Sequence, residues 1–404
     1  MTEFPVGLLF DEARALLQGV AAAHRLPVED AALARCHRRV LAQDIVAPMP
    51  LQPFDNSAMD GYACRHADLR ADAPVCLQLV CEQFAGRALG LQVGEGECVR
   101  ITTGAPMPEG ADSVVIREDV QLEGDAVRMP AGVQPGANVR KAGEDAQPGD
   151  LVLRAGTLLN AVQVSLAASL GIERLPVSAR PTVAVFTTGD ELVEPGVPLQ
   201  PGEIYNSNRE LLMGLLRADG LEPTAWPSLP DDPARMASML QDAASSFDLV
   251  LTCGGVSAGE KDHLPALLQA CGSVHFWKVK MKPGMPLLAG QLDCAQFLGL
   301  PGNPVSVLAT YLTLGRVLVD GMQGRVARPR RHARLQAGIG KSHARREFMR
   351  GTLHCDDAGV QWITPNAATG SHRLRAAAGA DALLVLREGP QALHAGDVVE
   401  VLTY

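Results

Sequence analysis

At 404 residues, the chain has room for roughly two to four domains, and 47% hydrophobic against 20% charged residues excludes a disordered protein. A formal charge of −9 argues against nucleic acid as the main partner, since phosphate backbones call for basic surfaces, so any cationic site must be a local one.

The N-terminal stretch MTEFPVGLLFDEA has no basic segment leading into a continuous apolar run, so no signal peptide is expected. No run of 18 or more apolar residues occurs, so no membrane span is expected either. Apolar spacing predicts helices over 8–24 and 30–42. From Pro48 to about Asp150 short β-type runs alternate with Gly and Pro, which predicts a small β-rich unit ending in the turn QPGD. LLNAVQVSLAASLG (158–171) reads as a helix closed by Gly171.

After Arg180 the texture changes again. PTVAVFTTGDEL and FDLVLTCGGVSAGEKD each read as a buried strand running into a glycine turn. NRELLMGLLRADG, PARMASMLQDAASS and HLPALLQACG read as helices between and after them, so a parallel α/β sheet is expected. Residues 325–404 return to short strands with one Ala-rich helix near 373–379, which suggests a small β-barrel or sandwich. Nine cysteines form no C-x-x-C pair, as expected of free thiols in a reducing cytoplasm, and no structural zinc site is expected.

Three groups of residues could carry chemistry. The first is the pair of glycine turns, TTGDEL (187–192) and TCGGVSAGEKD (252–262), placed where open α/β sheets bind ligands. Gly254 and Gly255 let the backbone approach an anion, Ser257 adds a hydroxyl, and Asp190, Glu191, Glu260 and Asp262 supply carboxylates for a divalent cation. Either loop alone reads equally well as an ordinary strand-to-helix turn with capping acids. The second group is KVKMKPGMP (278–286). As one strand it would put Lys278, Lys280 and Lys282 on one face, with Val279 and Met281 turned into a core. A lysine row on an edge strand is also a common guard against aggregation, but the following Pro-Gly and the helix start LPGNPVS favour a site. The third group is the polar loop PFDNSAMDGYA with Asp60, joined by RITTGAPMP with Thr103 and by RKAGEDAQPGD with Asp145.

In this order, PFDNSAMDGYA, RITTGAPMPEGAD, VRKAGEDAQPGD, TTGDEL, NSN, TCGGVSAGEKD, KVKMKPGMP, GLPGNPVS and RREFMRG closely resemble the MoeA family, the bacterial molybdopterin molybdenumtransferases homologous to the E domain of gephyrin. The resemblance implies an elongated α/β multidomain protein. Its parts would be a discontinuous linker (1–46 and 147–179), a β-rich lid (47–146), a three-layer α/β molybdopterin-binding domain (180–324) and a C-terminal β-barrel (325–404). It further implies a homodimer whose clefts each join the α/β domain of one subunit to the lid of the other. Such a protein takes adenylylated molybdopterin and molybdate and releases AMP in a Mg²⁺-dependent step, with transient contact to the molybdopterin adenylyltransferase and no nucleic-acid or membrane partner.

By the same resemblance Asp60 and Thr103 would reach in from the lid, and Glu191, Asp262, Lys278 and Lys282 would complete the catalytic set. Ser257, Gly254, Gly255, Pro301, Pro304 and Asp145 would bind the substrate, and Asp190, Glu191 and Asp262 the metal. Lys282, Arg346 (or Arg345, one register away) and Ser371 would hold molybdate. Met285 stands where many members carry lysine, which shifts weight to Lys282 and Arg346. Two other functions are weighed against this one. A gephyrin-like scaffold would need the extra domain and linker that this chain lacks, and a molybdopterin adenylyltransferase would need only the single α/β unit.

Overall fold

The computed structural model describes residues 4–259 and 262–404. Its centre is a seven-stranded sheet in the order Val6–Leu8, Ser273–Val279, Leu288–Leu292, Ala295–Leu300, Leu249–Cys253, Val183–Thr187, Thr224–Ala225. The last four strands run parallel, and Leu288–Leu292 runs antiparallel to both of its neighbours. Val183–Thr187 and Leu249–Cys253 are buried along their whole length, as expected of strands covered on both faces. Helices Ser207–Ala218, Pro233–Ala244 and Leu264–Cys271 contribute to cores on the two sides, so this unit has the expected three layers.

Two departures from the sequence expectations lie near the N-terminus. Residues 30–42 do not form a helix. Val28–Ala32 is a strand paired antiparallel with Arg174–Ser178, and it leads into a single 3₁₀ turn at Leu33–Arg35. Five register pairs with a distant strand outweigh a weak local helical preference. Residues 6–23, which the resemblance places with the linker, pack with the α/β unit. Val6–Leu8 extends the sheet beside Ser273–Val279, and Phe10, Ala13, Leu17 and Ala21 of helix Phe10–Ala23 enter its core.

The lid is a six-stranded sheet in the order Ser113–Ile116, Gly61–Cys64, Glu97–Ile101, Val75–Gln83, Ala126–Met129, Gln121–Glu123, with cores of its own. At the C-terminus the strand Arg346–Cys355 pairs with both Gln361–Pro365 and Ala382–Leu386, which closes a barrel through Arg331–Leu335 and Val398–Thr403. Closure removes the free sheet edges. One extra strand, Met281–Lys282, leaves the α/β unit and lies parallel to Arg346–Glu347 on the barrel wall.

A continuous helical stretch, Pro304–Met322, widens to a π-turn at Tyr311–Gly315 and runs through the α/β core. Its 19 residues have a mean hydropathy of 1.3, long and apolar enough to cross a membrane by those two measures. Arg316 and Asp320 interrupt it, so it is not an unbroken apolar run. Here 78% of it is buried against the sheet and helix Phe10–Ala23, the position of a core helix.

Candidate functional site

Three loops leave the carboxyl ends of neighbouring parallel strands: 188–192, the one that begins at 254–259, and 301–303. They meet at close range because their glycines have no Cβ. Gly254 has φ +99°, and a Cβ on it would stand 2.4 Å from Thr188 Oγ1. A Cβ on Gly302 would reach the Cα of Gly254 at 3.7 Å. The Gly254 amide donates to Leu300 O (2.9 Å), and the Thr188 amide to Cys253 O (3.0 Å). Both glycine turns thus belong to one cleft, where Pro301 is buried and Pro304 opens the long helix. Cys253 lies at its foot, but burial pushes that thiol up to about 12, which leaves it unsuited to nucleophilic work.

The NSN segment frames this cleft in a way the sequence did not reveal. Asn206 is buried, donates to Thr187 Oγ1 (2.9 Å) and caps helix Ser207–Ala218 by accepting from the Arg209 amide. Asn208 donates to Gly302 O (2.6 Å), while its own Oδ1 is buried with no hydrogen-bond partner. A buried unpaired acceptor beside a glycine turn is costly unless something fills it.

The lysines do not form one row. Lys278 takes a left-handed conformation (φ 66°), which breaks the alternation. Its ammonium lies 4.1 Å from the centre of the Trp277 ring, and Trp277 Nε1 donates to Val256 O (2.8 Å) in the second glycine loop. Lys278 is thereby held near that loop through its neighbour, while Lys280 is exposed. Val279 and Met281 are fully buried, as expected. Lys282 has moved to the barrel side, where its Nζ pairs with Glu347 Oε1 at 2.9 Å. The other oxygen of this nearly buried carboxylate lies 3.0 Å from His343 Nε2. Met285 is exposed and bonds through its backbone to Val279 and Leu287.

Lys282 lines a small pocket with Val305, Glu347, Arg350, Asn366 and Thr369. The cation that joins it there is Arg350, which neither expected register names. Arg346 lies four residues earlier on the same face of the strand, where it packs over helix Phe10–Ala23 instead. It holds Asp11 with two bonds of 2.7 Å, pairs with Glu388 at 2.9 Å and covers the Phe10 ring. Arg350 is buried and donates to Gly370 O and Arg373 O (3.2 Å each) and to Ala368 O, fixing the loop that carries Thr369 and Ser371. Ser371 is half-buried, and its backbone carbonyl accepts the Val305 amide (3.1 Å) at the start of the helix that follows the glycine cleft. A line of neighbours thus runs from Gly254 through Gly302 and Pro304 to Val305 and the Lys282 pocket.

The expected metal ligands do not converge. Among the described residues no three Asp, Glu, His or Cys side chains are grouped to hold an ion. Asp190 accepts the Asp231 amide (3.3 Å), Asp262 accepts the Gly259 amide (2.8 Å) within its own turn, and Glu191 is exposed. Glu260 lies outside the described residues. In the lid, Asp60 accepts the amide and the hydroxyl of Thr103, each at 2.8 Å, and these bonds hold its carboxyl below the usual range. Asp145 is exposed on the neighbouring loop. Among the described residues, no hydrogen bond or ion pair ties the Asp60–Thr103 pair to the glycine loops of the same chain.

Glycine turns at strand carboxyl ends, linked through Pro304 and Val305 to a pocket that carries Lys282 and Arg350, make a site whose groups suit anions. Three family models cover most of the chain: the MoeA N-terminal region (domain I and II) at 8–171, a probable molybdopterin binding domain at 184–320, and the MoeA C-terminal region (domain IV) at 332–404. The chain is 38% identical to a molybdopterin molybdenumtransferase of Haemophilus influenzae over 90% of each protein. It is also 38% identical to molybdopterin molybdenumtransferase 2 of Mycobacterium tuberculosis, over 90% of this chain and 91% of that one. Among solved structures, a molybdopterin biosynthesis MoeA protein from Pyrococcus horikoshii OT3 matches with a TM-score of 0.85 and 29% identity, over 98% of this chain and all of the other. The chain belongs to the MoeA family.

Proposed function

We propose that this chain is a molybdopterin molybdenumtransferase: it inserts molybdate into adenylylated molybdopterin and releases AMP, a step of molybdenum cofactor biosynthesis. The observation that carries this reading is the continuity between the glycine cleft and the Lys282–Arg350 pocket. The nucleotide and pyrophosphate suit the glycine loops, with the unpaired Asn208 Oδ1 as an acceptor there. The terminal dithiolene would then face the pocket where molybdate arrives.

The chain's work in this reaction is electrostatic and positional. Two unit charges about 4 Å apart repel by roughly 4 kcal/mol at an effective dielectric near 20. Lys282 offsets that repulsion at the molybdate, Lys278 does so beside the second glycine loop, and Arg350 holds the Thr369–Ser371 loop in place while adding its own charge. No protein nucleophile is required. Mg²⁺ commonly binds through one or two carboxylates together with substrate phosphates and water, and the scattered Asp190, Glu191 and Asp262 fit that mode better than a preformed cage. When bound, the ion supplies charge neutralisation at the phosphates.

Among the described residues no hydrogen bond or ion pair joins the Asp60–Thr103 pair to the glycine loops of its own chain, which supports a homodimer in which Asp60 and Thr103 of one subunit complete the cleft of the other. Transient docking of the adenylyltransferase would deliver the adenylylated substrate. Nine free cysteines accord with a cytoplasmic setting.

The test is a choice of substrates. With adenylylated molybdopterin, molybdate and Mg²⁺, AMP and molybdenum cofactor are expected; with ATP and molybdopterin, no adenylylated product is expected. The reverse pattern would make the protein an adenylyltransferase.

A further inference from the structure

Away from the cleft, a groove of about 740 Å³ lies between helix Phe10–Ala23, the helical turns 312–321, the connector 325–330 and the barrel strands Ala382–Leu386 and Val398–Thr403. Eight arginines line it against three carboxylates, in a chain whose net charge is −9. Four of the arginines are matched. Arg316 and Arg328 pair with Asp219, Arg325 and Arg328 with Asp320, and Arg346 with Asp11 and Glu388. The other four, Arg14, Arg25, Arg330 and Arg387, have no ion pair or side-chain hydrogen bond among the described residues. Counting Asp219 and Glu388, which sit just behind the wall, still leaves a surplus of three positive charges. Asp11, already held by Arg346, also lies in the field of Arg14 and Arg330, which places these cations around one spot.

A surface need for solubility does not explain cations drawn into a concave site. Like charges gathered in a groove repel one another and gain only when an anion joins them. The arginine fork pairs with carboxylate and phosphate oxygens two at a time, and several forks favour an anion of more than one charge. The volume falls in the range of small-molecule sites, and Val317, Val385 and Leu402 give part of the wall an apolar character.

We propose that this groove is a second anion site, distinct from the molybdate pocket, that binds a small multivalent oxyanion through Arg14, Arg330 and Arg387. The anion can carry phosphate or carboxylate groups, since both meet the guanidinium fork alike. Its position between the α/β unit and the barrel means that occupancy also clamps those two units together.

Isothermal titration with pyrophosphate, with citrate and with a short poly-glutamate peptide tests this. The variants are the triple change Arg14→Ala, Arg330→Ala, Arg387→Ala and, separately, Lys282→Ala. All three changes in the triple variant lie outside the buried ion network, and an unchanged melting temperature without ligand confirms that the fold is intact. Pyrophosphate, citrate or both are expected to bind at one site per chain that the triple variant weakens by at least about tenfold and Lys282→Ala leaves in place. The arm that binds tells phosphate from carboxylate. Binding lost in Lys282→Ala but kept in the triple variant would move the anion to the catalytic cleft and overturn the proposal. Absence of binding by both small anions, or binding of the peptide alone, would overturn it as well.

Discussion

Replacing Asp219 with asparagine is expected to cost about 3–5 kcal/mol of stability, because it strips a buried carboxylate from two guanidinium groups that have little water to fall back on. Asp219 ends helix Ser207–Ala218, and only 5% of its side chain is exposed. It accepts hydrogen bonds from Tyr311 Oη (2.9 Å), Arg316 Nε (2.8 Å) and Arg328 Nη1 (2.9 Å). Arg316 also donates to Thr403 O in the last barrel strand, so a single carboxylate helps to join the α/β unit to the barrel. Burial pushes the Asp219 carboxyl up, but the bonds and charges of Arg316 and Arg328 outweigh this and hold it below the usual range. A depressed carboxyl pKa stabilises the protein above the ordinary carboxylate range, and the effect is lost as pH falls through the folded-state value. Urea unfolding at neutral pH should show the full loss in the variant, and the gap to the native protein should close only in acid. A loss below about 1 kcal/mol, with a gap independent of pH, would mean that the network does not carry this load.

Lys282→Ala is expected to lower turnover by roughly 10²–10³, the usual effect of removing one preorganised charge from a reacting anion, while the fold is retained. The pocket around Lys282 also contains Glu347, whose carboxylate remains hydrogen-bonded to His343 after the change. Lys282→Arg keeps the charge but moves it, and should recover part of the rate at raised molybdate concentration. Measuring cofactor formation against molybdate separates weaker binding from slower reaction. An unaltered rate in the alanine variant would remove Lys282 from the reaction.

Much of the architecture was legible in the sequence because the signals were redundant. Largely apolar strands running into turns at Gly189 and Gly254 marked an α/β sheet and its binding edge together. Where a single local pattern stood alone, tertiary structure overrode it. The helical spacing of 30–42 gave way to pairing with Arg174–Ser178, and the lysine alternation ended at Lys278, whose side chain stacks on Trp277. The choice among Arg345, Arg346 and Arg350 depends on what stands beside each position along the strand, helix Phe10–Ala23 at Arg346 and the 368–373 loop at Arg350, which the motif RREFMRG does not encode. The roles of Asn206 and Asn208 were not legible, since their bonds to Thr187 and Gly302 span long sequence separations. The carboxylates were legible as types and places, while their divergence followed from the amides of Gly259 and Asp231 that two of them accept.

The central proposal is that each working cleft combines the Lys282 side of one chain with the Asp60–Thr103 pair of another. Mixed dimers test it most directly. Asp60→Asn and Lys282→Ala chains, each expected to be strongly impaired alone, are unfolded, mixed in equal amounts and refolded together. If the cleft is shared, half of the dimers are mixed and each of these regains one intact cleft, so the mixture should recover roughly a quarter of the native molybdenum-insertion activity. A mixture no more active than the two parent variants measured separately would contradict it.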